Sequence, residues 1–301
     1  MNLHLLRIFH AVAEQGSFSR AAEALYISQP AVSKAVKELE SQVDLALVER
    51  GGGKGLRLTE SGLALFEHAR GIFALERAAI EDIQARVGSQ KGRLVVGAST
   101  TIAGYRLPAY AARFLGAHSS VSLEIRVGNT QEVSRALVEC EIDLALVEGA
   151  VDDQRIVARH WRDDELRLFA SSRESDLRID DLREKIWLLR EPGSGTREVS
   201  ERMLRLYGIE PARVVEIGCN EGIARTLASG MGVAMLPSLV AEELLNLQRI
   251  RALDFDPVNR PLFLIQLKER PLQPLVKAFA EMLLGDSAML GHGKDMRIAS
   301  R

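Results

Sequence analysis

Two sets of residues in this chain have the types and spacing to do chemistry. The first lies in residues 16–43, GSFSRAAEALYISQPAVSKAVKELESQV. Read at about 100° per residue, Gln29 and Pro30 open a helix, and Ser33, Lys34 and Lys37 line the side of it that apolar residues leave free. An amide, a hydroxyl, two ammonium groups and a non-polar ring on the first turns of an exposed helix can read base edges and hold phosphates. The second set recurs where apolar strands end. Ser99, Thr100 and Thr101 follow RLVVGA, Asn129 and Thr130 follow LEIRV, Glu148 closes DLALVE, and Cys219, Asn220 and Glu221 follow VVEIG. EPGSGTRE adds Ser194, Thr196 and Arg197, with Gly193 and Gly195 allowing close approach. Hydroxyls, amides and an arginine at helix starts suit an anionic metabolite, because unpaired N–H groups and the positive end of the helix dipole face it there. Any one of these residues serves equally to cap its helix. Their recurrence in two halves of the chain is what points to a cleft, although Glu148 is out of keeping with an anion.

The elements that must position these groups follow from periodicity. Phe18, Ala21, Ala22 and Leu25 recur at i, i+3, i+4 and i+7 behind a Ser17 cap. Val32, Val36, Leu39 and Val43 fall within about 40° of one direction behind a Ser28 cap, with Pro30 in the first turn. Leu5, Phe9 and Val12 predict a third helix that completes their core. Leu47, Val48 and the glycine-rich stretch to Leu58 predict a wing, with Arg50 and Lys54 placed for phosphates. Phe66, Phe73, Ile80 and Val87 then recur every seven residues, with Ala69, Glu76 and Ile83 between them. Such a seam fits a helical partner or, alternatively, the helix's own domain. GSQKG ends that helix. Beyond it strand and helix alternate through RLVVGA, a helix near residues 102–115, LEIRV, the TQEVSRALVEC helix and DLALVE. The rhythm resumes with IWLL, a helix over about residues 194–207, VVEIG, a helix from Asn220, and VAML. Two α/β lobes with largely parallel sheets are expected, with IVARHW and LRLFAS as crossing strands and FLIQL returning before a last helix around residues 274–284. Residues 285–301 lack periodicity and predict a mobile tail.

The run SFSRAAEALYISQPAVSKAVKELE followed by LVERGGGKGLRLTESG resembles the winged helix-turn-helix of the LysR-type transcriptional regulators. Chain length and lobe order extend that resemblance over nearly all the rest. Asp44 stands where the family usually has glycine and Val48 where it usually has phenylalanine, both at the entry to the wing. The resemblance implies an α/β protein in three parts: a winged helix-turn-helix over residues 1–58, a dimerising linker helix over 59–88, and a periplasmic-binding-protein-like effector domain of two lobes over 89–301. It implies promoter DNA as a partner, a homodimer that goes on to a dimer of dimers, RNA polymerase as a further contact, and a small-molecule effector in place of a cofactor. The GSGTR run is similar to the branch that regulates sulfur assimilation or carbon fixation. That similarity makes Ser99, Thr100, Thr130, Thr196 and Arg197 effector contacts, with Ser194 at the helix start beside them. Arg197 either turns inward or pairs with Glu201 four residues on.

With 301 residues, 47% of them hydrophobic, the chain can bury more than one core. A net charge of −2 argues against a general polyanion binder, so DNA must be held by locally placed cations doubled in a dimer. Two cysteines, Cys140 and Cys219, and an N-terminus that runs straight into an amphipathic helix predict a cytosolic protein. No apolar run nears the ~18 residues of a membrane span. The histidines at 4, 10, 68, 118, 160 and 292 lack metal-ligand spacing. GSGT and GGGKG lack the spacing of a phosphate loop, and no GxSxG elbow occurs. An α/β enzyme and a solute-binding transport module therefore stand behind a regulator as alternatives.

Overall fold

The computed structural model describes residues 1–49, 56–86, 92–174 and 177–289. The chain divides into two compact units, Met1–Ile80 and Glu81–Arg301. In the first, α1 (Leu3–Gln15), α2 (Phe18–Leu25) and α3 (Gln29–Val43) bury Leu6, Phe9, Val12, Ala21, Val32, Val36 and Leu39 in one core. Each helix starts at a polar side chain that accepts from a first-turn N–H: Asn2 from His4, Ser17 from Arg20, Ser28 from Ala31. Each ends at a left-handed residue, Gly16, Tyr26 or Asp44, which turns the chain sharply enough to stack short helices. Glu40 is buried on α3 and accepts from the backbone N–H of Leu47 at 2.8 Å and of Val48 at 3.2 Å. Val48 in turn pairs antiparallel with Leu58, so the wing entry is hydrogen-bonded despite the unusual Asp44 and Val48.

The next helix, α4 (Glu60–Arg86), has 27 residues and is about 40 Å long. Seam residues of its first half pack on its own unit. Ala69 is buried in the core just described, and Phe66 and Phe73 flank the His10 ring at 5.2 and 5.3 Å. Glu76 takes an ion pair from Arg7 at 2.6 Å. The alternative, a helix lying on its own domain, holds for this half, whereas Ile80 and Ile83 are exposed.

The second unit runs β1 (Gly92–Ser99), α5 (Thr100–Tyr105), α6 (Leu107–Ala117), β2 (Val121–Gly128), α7 (Thr130–Val138), β3 (Leu144–Glu148), β4 (Ile156–Ser171), β5 (Ile186–Leu189), α8 (Gly195–Leu206), β6 (Arg213–Glu216), α9 (Asn220–Ala228), β7 (Val233–Pro237), α10 (Ser238–Asn246), β8 (Ile250–Ala252), β9 (Val258–Leu267) and α11 (Pro274–Met289). Parallel β2–β1–β3 and parallel β7–β5–β6 form two lobes. Antiparallel β9 and β4 join them into one sheet, with β8 beside β4. IVARHW and LRLFAS are thus one strand rather than two, because the irregular register between His160 and Arg162 bends β4 without breaking it. The helix expected near residues 102–115 is two helices, since Pro108 lacks an N–H and its ring obstructs the preceding turn. The last helix reaches Met289, so residues 285–289 of the expected tail are helical and the remainder lies outside the described residues. Trp161 centres the core of one lobe with Leu94, Phe114 and Phe279, and Trp187 that of the other with Leu168 and Met203. No described helix is long and apolar enough to cross a membrane.

Candidate functional site

Burial of Val32, Ala35, Val36 and Leu39 decides which face of α3 is left over. On that face Gln29, Pro30, Lys34 and Lys37 are exposed and Ser33 is half-buried. Gln29 Nε2 donates to Ser33 Oγ at 3.0 Å, which holds the amide along the helix. Five of the seven residues expected to contact DNA are therefore gathered on one helix. The other two, Arg50 and Lys54, lie outside the described residues.

The strand ends of the two lobes converge on Glu148. Its buried carboxylate accepts from Ser99 Oγ at 3.1 Å, Thr196 Oγ1 at 3.4 Å and Arg260 Nη1 at 2.8 Å. Arg260 on β9 also donates from Nη1 to Thr196 Oγ1 at 3.1 Å and from Nη2 to Asp164 Oδ2 at 2.7 Å. Asp164 accepts a longer bond, 3.3 Å, from Arg106. Glu148 is thus paired within the chain, and its acid and Asp164 share the buried Arg260, with Arg106 as a second cation on Asp164. Burial of such groups is tolerated only with partners, since unpaired they would be very costly.

A second arginine ties the two lobes together from the other side. Buried Arg190 grips Glu191 through Nε and Nη2, both at 2.8 Å, and donates from Nη1 to Thr100 Oγ1 at 3.1 Å. Burial opposes the charge on Glu191, yet hydrogen bonds from Arg190 and Asn129 outweigh it and hold the carboxyl below its ordinary range. Asn220, wholly buried at the start of α9, donates to Thr101 Oγ1 at 2.8 Å and to Thr196 Oγ1 at 3.2 Å. Thr130 Oγ1 donates to the Glu148 carbonyl at 3.1 Å, and the Gln131 N–H donates to the Gly193 carbonyl at 3.2 Å. Close approach needs the glycines here: a Cβ on Gly193, whose φ is +87°, would lie 2.6 Å from Gln131, and one on Gly195 would lie 2.6 Å from the Glu148 carbonyl oxygen. Ser194 is buried at the N-terminus of α8 but makes no side-chain cap bond.

Arg197 takes the outward course. Its Nε bonds Glu201 at 2.7 Å and its Nη1 bonds Glu216 and the Arg190 carbonyl, both at 2.8 Å, so its charge is engaged within its own lobe and not among the groups around Glu148. Arg190, Arg260 and Asp164 were missed by sequence reasoning. The available signal was charge within or directly after an apolar strand, Arg260 in VNRPLFLIQL and Arg190 after IWLL, where burial demands a partner.

Residues 3–63 match the model of bacterial regulatory helix-turn-helix proteins of the lysR family, and residues 88–288 match the LysR substrate binding domain. The chain belongs to the LysR family. It is 36% identical to the HTH-type transcriptional regulator CfxR of Cupriavidus necator, over 96% of this chain and 92% of that one. It is 31% identical to the RuBisCO operon transcriptional regulator of Allochromatium vinosum, over 96% of this chain and 98% of that one. The crystal structure of full-length CbnR complexed with its target DNA shares the fold, with a TM-score of 0.66 at 23% identity, covering 95% of this chain and 100% of that one. This LysR-type protein is a DNA-binding transcriptional regulator with an effector-binding domain, and not an enzyme.

Proposed function

We propose that the regulator reads promoter DNA with Gln29, Pro30 and Ser33, holds phosphates with Lys34, Lys37, Arg50 and Lys54, and is switched by a small anion between its effector lobes. The observation that carries the effector reading is the Glu148 carboxylate, an anion of the chain's own held by Ser99, Thr196 and Arg260. An incoming anion takes over these donors, with Thr100, Thr130 and Ser194 bordering the same strand ends. That exchange alters lobe packing and, in a homodimer or a dimer of dimers paired through the linker helix, the geometry of the DNA-reading heads. RNA polymerase is the further partner of such a promoter-bound protein, and the cytoplasm its location. Kinship with the RuBisCO operon regulator supports the carbon-fixation side of the branch that the GSGTR run resembles.

Calorimetric titration of oxyanions, carboxylates and sugar phosphates into wild type and Thr196→Val tests this reading. Valine keeps the shape and removes the hydroxyl, and should weaken the binding anion by about 1–3 kcal/mol. Tight binding of a neutral or cationic compound, indifferent to Thr196→Val, overturns it.

A further inference from the structure

Around Thr196 the hydrogen bonds can be assigned proton by proton. Arg260 Nη1 donates to Thr196 Oγ1, and the Glu148 carboxylate can only accept, so the single hydroxyl proton of Thr196 goes to Glu148. Asn220 is left to donate to Thr196, which orients its amide with Nδ2 towards Thr196 and Thr101. Asn220 Oδ1 then has no hydrogen-bond partner among the described residues, on a side chain with no exposed surface. Arg260 Nε is likewise buried without a partner. One acceptor and one donor are thus unmet on the two residues that flank Thr196, and unmet buried polar groups in a native protein call for an occupant.

We infer that the effector is an anion carrying its own hydroxyl, a singly protonated oxyanion or a hydroxy acid, whose O–H donates to Asn220 Oδ1. Its charged oxygens accept from Arg260 and from the hydroxyls of Ser99 and Thr196; this rests on the anion reading proposed above. A fully deprotonated anion has no proton to give and sets lone pair against lone pair at Asn220. Discrimination therefore comes from a single neutral oxygen among many donors.

Two pairs of probes differ by little more than that hydroxyl: phosphate against sulfate, and glycolate against acetate. Near neutral pH phosphate keeps a proton and sulfate has none. Titrated calorimetrically into the full-length protein, phosphate and glycolate should each bind about tenfold tighter than their partners or better. Asn220→Asp keeps an acceptor and should keep the preference at weaker affinity, while Asn220→Ala should abolish it. Equal affinities within both pairs overturn the inference and leave the anion reading standing, Asn220 Oδ1 then holding only a water. Binding of none of the four removes both. Should Asn220→Ala fail to fold, the wild-type ratios and Asn220→Asp decide.

Discussion

Replacing Arg260 by leucine leaves two buried carboxylates without their shared counter-charge. The guanidinium bonds Glu148 at 2.8 Å and Asp164 at 2.7 Å, with the arginine 2% exposed and the acids 2% and 3%. An intact buried pair contributes little net stability because desolvation offsets attraction, but removing one partner strands the other at a cost of about 3–5 kcal/mol. Two acids are stranded here, which pushes towards the upper end. Arg106 still reaches Asp164 at 3.3 Å, and leucine restores some apolar contact, which pull the other way. A loss of about 4 kcal/mol is expected. Neutralising the acids as well, in Arg260→Leu/Glu148→Gln/Asp164→Asn, should recover about 2 kcal/mol of it. The chain supplies its own probe: its two tryptophans, Trp161 and Trp187, are fully buried, one in each effector lobe. Urea unfolding followed by tryptophan fluorescence therefore reports the effector unit alone. A loss below about 1 kcal/mol, the range of an exposed pair, or a triple variant no more stable than Arg260→Leu, would refute the reasoning.

On α3, Ser33→Ala should narrow the affinity gap between operator and random DNA, whereas Lys34→Ala should weaken both and flatten the salt dependence by about one counterion. Mobility shifts over a salt series measure this, and unaltered operator affinity in both folded variants rules α3 out of the groove. Burial between Phe66 and Phe73 holds the His10 imidazole below its ordinary 6.5, with Arg70 and Arg7 adding to the effect and Glu14 opposing it. The unfolded chain then takes up the proton first as pH falls, so this contribution to the DNA-binding unit is present above 6.5 and lost below it. His10→Phe should flatten that loss in thermal melts; an unchanged acid slope assigns it elsewhere.

What could be read from the sequence is what depends on near neighbours. The 3.6 period and the Ser28 cap give α3 and its free face, and apolar runs followed by hydroxyls give Ser99, Thr100 and Thr196. Arg197 with Glu201 is an i, i+4 pair and was readable as one alternative. Arg260 was not, because it meets Glu148 across 112 residues and Asp164 across 96. That meeting depends on β9 lying antiparallel between β3 and β4, which sets Glu148 opposite Leu262 and Asp164 opposite Arg260. The bulge in β4 interrupts the alternation of inward and outward residues, so one strand looked like two. Likewise the heptad of α4 is genuine as spacing, but nothing local says that Phe66 and Phe73 meet His10.

Under the anion exchange proposed above, the resident Glu148 carboxylate also sets the concentration at which the regulator would respond. On that proposal an entering anion binds net of breaking the Glu148–Arg260 pair, so the apparent affinity is the intrinsic one multiplied by the fraction of molecules in which that pair is open. Each 1.4 kcal/mol added to or taken from the closed pair moves the half-response tenfold along the metabolite axis. The set-point and the identity of the signal are then separately adjustable. On that proposal, substitutions at Asp164, which bonds Arg260, or at Arg106, which bonds Asp164, would retune sensitivity while the groups that recognise the metabolite stay as they are.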